Sequence, residues 1–280
     1  MTDDDPQTGD YHHVQGLVRG LAVLCELNKQ RAGTATAVEL SQLTTLHRST
    51  VKRLLETLRA AGFVNRLADG QNYRLTFRVQ QLSDGFNDET GLCTVSRQLL
   101  TQLTEKVLWP SDLVTLEGNH MVIRYSTHAF SPLSFHPGAV GSRFPVLPTA
   151  AGWAYLAFCT DAERELVLSM LREEDGLQGE IARDARTVRK SVDATRMRGY
   201  GINDGEWVRE PRFGALAVPI RHAGRVQACL NIVFSKKAKK IEQAQIDYVD
   251  DLRATAKEIE LRLSKYRKRE EPAHLATSAR

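Results

Sequence analysis

The stretch from residue 36 to residue 75, TAVELSQLTTLHRSTVKRLLETLRAAGFVNRLADGQNYRL, decides the fold of the first part of this chain. Thr36 and Glu39 have the spacing of a capping box, which predicts the start of a short helix. A polar turn at residues 44–45 separates it from a second helix, which Gly62 ends. Four apolar residues of this second helix share one face: Val51, Leu54, Leu55 and Leu58. The pair Asp69–Gly70 is a two-residue hairpin signal, so the order of elements predicts a winged helix-turn-helix.

An earlier helix is expected to support this motif, with Leu17, Leu21 and Leu24 packed against the other two helices. The second helix of the motif leaves polar and basic side chains away from its apolar face. We expect eight residues of this helix and of the hairpin to contact DNA: His47, Arg48, Ser49, Thr50, Lys52, Arg53, Arg66 and Arg74.

The charge of this segment agrees with binding to double-stranded DNA. Residues 47–78 contain seven basic and two acidic side chains, an excess that attracts phosphate groups. Charge alone would favour a solvated face of a protein-interaction domain. Helix caps, an apolar face, basic residues and a hairpin in this order favour operator DNA as the partner.

Composition places the chain among globular proteins with room for two domains, since 42% of its 280 residues are hydrophobic and 26% are charged. It has no apolar stretch of the roughly 20 residues that a membrane span needs. The N-terminus is acidic, polar and unlike a secretory signal, so we expect a cytoplasmic protein without a membrane partner. Motifs for nucleotides, metals or catalytic nucleophiles are not found, and the four cysteines are scattered. We therefore expect no enzyme, no metal and no cofactor.

The second part of the chain predicts an α+β domain around an antiparallel sheet. A helix with Val95, Leu99, Leu103 and Val107 at turn spacing leads into it, and hairpin signals stand at residues 118–119 and 223–224. A long amphipathic helix is predicted from 241 to 263. The expected boundaries are a disordered N-terminus over 1–13, the DNA-binding domain over 14–77, linker helices over 78–108, an effector-binding domain over 109–264 and a polar tail over 265–280.

Five segments resemble the IclR family of transcriptional regulators: LHRSTVKRLLETL, GSRFPVLPTAAGWA, RGYGINDGE, ALAVPI and ACLNIVF. The resemblance implies a linker helix with dimer contacts, a GAF-like C-terminal domain that binds a small organic acid, and a homodimer or dimer of dimers. Further segments, among them LSFHPGAVG and RLTFRVQQLSDGF, are similar to activators of 3-(3-hydroxyphenyl)propionate catabolism. An aromatic acid is therefore the expected effector, and RNA polymerase is a further partner expected of an activator.

The resemblance also implies a ligand site formed by five residues: the backbone at Ala150 and Ala151, then Asp204, Gly214 and Asn231. Because Gly214 lacks a side chain and Asn231 changes the donors, a bulky ligand is expected. The chemistry of an aromatic acid adds Arg143 as a partner for its carboxylate. Ring walls are expected from Phe130, Phe135 and Trp207, and a hydroxyl partner from His136. Alternatively, Arg143 is a surface charge, the aromatic rings belong to the core and His136 is structural.

The sequence thus favours a regulator that binds an aromatic acid of the hydroxyphenylpropionate type and activates a catabolic operon. Two alternatives remain open at this point. One is a repressor that a different small organic acid releases from DNA. The other is an enzyme or carrier acting on such an acid, which would need a nucleophile or metal cluster that the sequence does not display.

Overall fold

The computed structural model describes residues 13–83, 88, 90–134, 140–207 and 209–277. They form two compact units that divide between residues 87 and 88, here called the N-terminal and the C-terminal unit. This division falls within the predicted linker over 78–108, whose long helix belongs to the C-terminal unit. The N-terminus predicted to be disordered lies outside the described residues up to position 12.

The N-terminal unit is a winged helix-turn-helix, which confirms the predicted fold. Its elements are α1 (Gln15–Lys29), β1 (Thr34–Thr36), α2 (Ala37–Thr44), α3 (Arg48–Ala60), β2 (Val64–Arg66) and β3 (Asn72–Leu75). The three strands form an antiparallel sheet in the order β1-β3-β2. A 3-10 helix, Phe77–Ser83, follows the sheet. The strand β1 was not predicted.

The N-terminal core differs from the prediction in the face that α1 contributes. Its buried residues are Val23, Leu24 and Leu27, which pack with Leu40, Val51, Leu55, Val64 and Tyr73. The prediction was wrong for Leu17 and Leu21, whose side chains are 62% and 51% exposed. The face of α1 that carries Val23, Leu24 and Leu27 is the buried one, and Leu17 and Leu21 lie on its exposed side.

The hairpin formed by β2, β3 and the loop between them, here called the wing, turns through five residues, 67–71, and not through two. Asp69 organises this loop, because its Oδ1 accepts the backbone N–H groups of Gln71 and Asn72, each at 2.9 Å. These bonds stabilise the carboxylate and lower the pKa of Asp69 to about 2. The Nε atom of Arg66 donates to the Gly70 carbonyl at 2.8 Å and closes the loop from its other side.

The C-terminal unit is built on a six-stranded antiparallel sheet in the order β6-β5-β4-β9-β8-β7. Its strands are β4 (Ser111–Glu117), β5 (His120–Ser126), β6 (Arg143–Pro145), β7 (Gly201–Asn203), β8 (Phe213–His222) and β9 (Arg225–Ser235). Its helices are α4 (Leu92–Val107), α5 (Ala150–Phe158), α6 (Asp161–Arg172), α7 (Leu177–Arg183), α8 (Ala185–Arg198) and α9 (Ile241–Thr277). The α+β class is confirmed.

Helices cover both faces of this sheet. On one face, Leu216, Ile232 and Phe234 pack against α4 and α9. On the other face, Ala217 and Cys229 pack against α5, with α6 and α8 beyond it. Because successive residues of a strand point to opposite faces, residue parity decides which layer each side chain enters. The helix α9 continues to Thr277, so much of the predicted polar tail is helical. Within the described ranges, no helix combines the length and apolarity needed to cross a bilayer.

Candidate nucleic-acid interface and ligand cavity

The N-terminal end of α3 forms an exposed basic surface. His47 is the N-cap residue, and its Nδ1 accepts the backbone N–H of Ser49 at 3.3 Å. The same nitrogen lies 2.8 Å from the Ser49 hydroxyl. Of the predicted contact residues on this helix, Thr50 is half-buried and the others, His47, Arg48, Ser49, Lys52 and Arg53, are exposed. A helix of this kind can enter the major groove with hydroxyl and guanidinium groups directed outward.

The wing is fixed to α3 through one carboxylate. The Tyr73 hydroxyl on β3 donates to Glu56 Oε1 at 2.7 Å, and Arg59 Nε donates to Glu56 Oε2 at 2.7 Å. Both bonds favour the ionised form and lower the pKa of Glu56. The predicted wing residues Arg66 and Arg74 are exposed beside this connection. The surface therefore comprises α3 and a wing held in a defined position against it.

The C-terminal unit contains a cavity of about 210 Å³ on the α5 side of its sheet. It is lined by Asp112, Ile123, His128, Ser142, Arg143, Phe144, Thr149, Ala150, Ala151, Asn203, Trp207, Glu210, Phe213, Gly214, Ala215, Asn231 and Val233. Protein cavities of roughly 150 Å³ can hold benzene. A benzene ring with substituents therefore fits this volume.

The N-terminus of α5 opens into the cavity. The Thr149 side chain caps the helix by accepting the Gly152 N–H at 3.2 Å. Ala150 and Ala151 follow as the first two helical residues, whose N–H groups have no acceptor within an α-helix. Both residues are buried and line the cavity. Such amides, at the positive end of the helix dipole, suit a carboxylate.

Two asparagines supply further polar groups. The Asn231 Oδ1 atom accepts the backbone N–H of Asp112 at 3.0 Å, which leaves the amide nitrogen as the donor that Asn231 can offer to a ligand. Asn203 is buried, and its Nδ2 donates to the Pro148 carbonyl at 2.9 Å, just before α5. The expected residue Asp204 does not line the cavity. Asp204 follows the end of β7; its side chain is exposed and lies 3.1 Å from Lys236 Nζ.

The position of Gly214 requires a correction. A Cβ atom on Gly214 would lie 2.6 Å from Cε2 of Phe234, so the missing side chain makes room for the core on the α4 and α9 face. It does not widen the cavity, although the Gly214 backbone belongs to the cavity wall. The small side chain that faces the cavity is that of Ala215, the next residue. The absence of a side chain at Gly214 therefore gives no argument for a bulky ligand.

The remaining predicted ligand residues lie at different places relative to the cavity. Arg143 lines the cavity, but it is half-exposed and its Nη1 lies 3.1 Å from Glu117 Oε1. Trp207 also lines the cavity, with its ring centroid 6.0 Å from that of Phe144. Phe130 is 66% exposed and is not part of the wall. The other two, Phe135 and His136, lie outside the described residues.

The sequence did not indicate the polar pair Asp112 and His128, which also lines the cavity. Asp112 lies on β4, and His128 follows the end of β5. Both side chains are buried, with 3.8 Å between His128 Nε2 and Asp112 Oδ2. A carboxylate within the apolar strand segment SDLVTL was the available signal, since an ionised group is rarely buried without a polar partner. Among the described residues, no group of three or more His, Cys, Asp or Glu side chains is arranged to hold a metal.

Comparison with known proteins bears on both units. A family model described as the IclR helix-turn-helix domain matches residues 16–68, and one described as the IclR C-terminal domain of bacterial transcriptional regulators matches residues 86–261. The probable transcriptional regulator SauR of Cupriavidus necator is 28% identical over 89% of this chain and 96% of its own length. The Pca regulon regulatory protein of Pseudomonas putida is 28% identical over 80% of this chain and 76% of its own length.

Two solved structures resemble most of the chain. One is a putative transcriptional regulator from Rhodococcus sp. RHA1, with a TM-score of 0.62 and 27% identity over 91% of this chain and 100% of its own. The other is an IclR homolog from Microbacterium hydrocarbonoxydans complexed with 4-hydroxybenzoate, with a TM-score of 0.60 and 26% identity. That likeness covers 89% of this chain and 99% of the homolog.

Proposed function

Because the chain belongs to the IclR family of DNA-binding bacterial transcriptional regulators, we propose that it activates a catabolic operon in response to an aromatic acid of the hydroxyphenylpropionate type. The family consists of regulators and not of enzymes, so catalysis on the acid is set aside. The observation that carries the proposal is the cavity of about 210 Å³, which joins apolar walls to the amides at the start of α5.

The acid is proposed to bind with its carboxylate at the N–H groups of Ala150 and Ala151. These groups offer hydrogen bonds and a positive dipole end without the cost of burying another charge. Arg143 adds a cation at the cavity, shared with Glu117. Phe144 and Trp207 supply ring surface for the aromatic part. The related protein that is complexed with 4-hydroxybenzoate supports an acid of this class.

The DNA-binding part of the proposal assigns base contacts to the exposed residues of α3. Ser49→Ala and Arg53→Ala should each weaken binding to the operator by about 1–3 kcal/mol, which is roughly 5- to 150-fold. An operator fragment for this test can be selected from random DNA with the protein itself. Lys190→Ala, which removes a basic residue on α8, is the matched control and should leave binding unchanged. Equal discrimination between operator and random DNA in wild type and both α3 variants would reject the assignment.

A homodimer, alone or within a dimer of dimers, is proposed because dimers of such units read two-fold operators. Along α1 and its N-cap residue Val14, four exposed apolar residues follow one another at spacings of three and four: Val14, Leu17, Val18 and Leu21. A second copy of this helix would cover the stripe. Leu17→Glu should therefore reduce the dimer fraction in light scattering at micromolar concentration, whereas Leu166→Glu, at an exposed leucine of α6, should not. Unchanged mass for both variants would contradict this interface.

The effector assignment is tested by calorimetry on the full chain. Aromatic acids should bind, and glyoxylate should bind weakly or not at all, because a two-carbon acid leaves most of the apolar wall unfilled. Binding of glyoxylate without binding of any aromatic acid would overturn the assignment. Transcription by RNA polymerase from a promoter beside the operator, measured with and without the regulator and with and without the acid, then separates the proposed activator from a repressor that its ligand releases.

A further inference from the structure

The helix α5 gives the cavity a direction, because it lies along β8 and β9 with its first turn at the cavity. Near its start, Cys229 Sγ on β9 lies 3.4 Å from the Ala151 carbonyl oxygen. Near its end, the Arg221 guanidinium on β8 lies 4.6 Å from the centroid of the Phe158 ring. The helix therefore runs toward the hairpin that joins β8 to β9, and its N-terminus points toward the opposite ends of these strands.

The part of the cavity that faces this N-terminus lies further along the same strands. Asn231 and Val233 line the cavity two and four residues beyond Cys229, on the same face of β9. At about 3.3 Å per residue, Val233 lies roughly 13 Å along the strand from Cys229. On β8, Phe213 lines this end too, since it pairs with Ser235. An acid whose carboxylate lies at the α5 amides therefore directs its far side toward Phe213.

Glu210 belongs to this far end of the cavity. It precedes β8, and its backbone carbonyl accepts the N–H of Phe213 at 3.1 Å. It lines the cavity, and its side chain is 33% exposed. Arg212 Nη2 lies 3.9 Å from Glu210 Oε2, but the Arg212 side chain is 74% exposed. Water screens such a pair, so Arg212 cancels only part of the negative potential that Glu210 creates in the cavity.

The charges of the wall favour a ligand with one carboxylate. Besides Glu210, the wall contains the carboxylate of Asp112. Arg143 adds a positive charge that is shared with Glu117. The helix amides that suit an anion lie at the start of α5 and accept one carboxylate. A second carboxylate on the far side of the ring approaches Glu210, and like charges repel strongly where little water separates them.

Building on the proposed function that the cavity takes an aromatic acid, we propose that Glu210 determines its specificity by excluding acids that carry a second carboxylate on the far side of the ring. The ligand class is thus narrowed from aromatic acids to aromatic monocarboxylic acids. Selectivity of this kind arises from repulsion of the wrong ligand. It requires no hydrogen bond between Glu210 and the ligand that binds.

The test is calorimetry on the full chain with two matched pairs of acids: terephthalate with 4-carbamoylbenzoate, and 3-(4-carboxyphenyl)propionate with 3-(4-carbamoylphenyl)propionate. The members of a pair have nearly the same shape and differ in the second negative charge. Wild type should prefer the carbamoyl member of at least one pair by about tenfold or more. Glu210→Gln should reduce this preference by about fivefold or more, and Glu210→Lys should reverse it. Glu165→Gln, at an exposed carboxylate on α6, is the matched control and should keep the full preference.

The outcomes separate this inference from the proposed function. Equal affinity of wild type for both members of each pair, within about threefold, overturns the specificity assignment and leaves the aromatic-acid proposal intact. A preference that persists in full in both Glu210→Gln and Glu210→Lys also overturns the assignment, because another group then causes it. Binding of no aromatic acid, with benzoate and 3-phenylpropionate included in the series, overturns both proposals.

Discussion

Adjacent residues on β8 should respond in opposite ways to substitution, and this contrast tests the assignment of the two sheet faces. Alanine at position 214 would bring its Cβ to 2.6 Å from the Phe234 ring, about 1 Å short of an ordinary carbon–carbon contact. Phe234 is 1% exposed, so its ring has little room to move. Overpacking of this kind costs about 1–3 kcal/mol. For a unit of this size Gly214→Ala should lower the Tm by roughly 2–12 °C.

Ala215→Val places its two additional methyl groups in the cavity instead. A β-branched side chain suits a strand, so the Tm without ligand should stay within about 2 °C of wild type. The bound acid would meet the new methyl groups, and a similar overpacking cost of about 1–3 kcal/mol weakens its binding by roughly 5- to 150-fold. Scanning calorimetry gives the Tm and titration calorimetry the affinity. The reasoning is refuted if Gly214→Ala weakens binding at unchanged Tm while Ala215→Val lowers the Tm at unchanged affinity.

Two other predictions concern single contacts. Tyr73→Phe removes the 2.7 Å hydrogen bond to Glu56 and should destabilise the N-terminal unit by about 1 kcal/mol and weaken operator binding. Calorimetric melting measures the stability, and fluorescence anisotropy measures the binding. Wild-type values in both measurements would contradict the attachment of the wing to α3. Burial raises the pKa of Cys159 to about 11 and also raises that of Cys229, and alkylation needs the thiolate. Both thiols should therefore resist iodoacetamide at pH 8 until denaturant unfolds the chain, as mass spectrometry of modified peptides would establish; rapid modification in the folded protein would contradict their burial.

Local signals account for the parts of the fold that the sequence predicts well. The capping box joins Thr36 and Glu39, which are three residues apart, and it is present as predicted. The hairpins turn at residues 118–119 and 223–224, where short turn signals stand between strand-like segments. By contrast, β1 has three residues and no periodicity of its own. The strand β1 forms because Thr34 pairs with Arg74, forty positions later. A pairing between residues so far apart leaves no local sequence pattern from which it could be predicted.

The same limit explains what the sequence could not show about the cavity. The segment FGALAVPI of β8 is apolar on both faces, since helices cover the sheet on both sides. The alternation of its side chains between the two faces therefore cannot be read from the sequence, and no local pattern indicates which of Gly214 and Ala215 faces the cavity. The pair Asp112 and His128 likewise forms only because β4 and β5 lie side by side. Ala150 and Ala151, which the family resemblance named as ligand residues, do line the cavity, but their contact with a ligand stays a prediction.

The account as a whole requires that an acid bound in the C-terminal unit changes the affinity of the N-terminal unit for DNA. Operator affinity should be measured by fluorescence anisotropy with and without a saturating hydroxyaromatic acid, at one fixed salt concentration because phosphate contacts are salt-dependent. The account predicts a change in the operator Kd of roughly 5- to 150-fold, the usual range of such coupling. An acid that calorimetry shows to be bound, but that leaves the operator Kd unchanged within twofold, would contradict it.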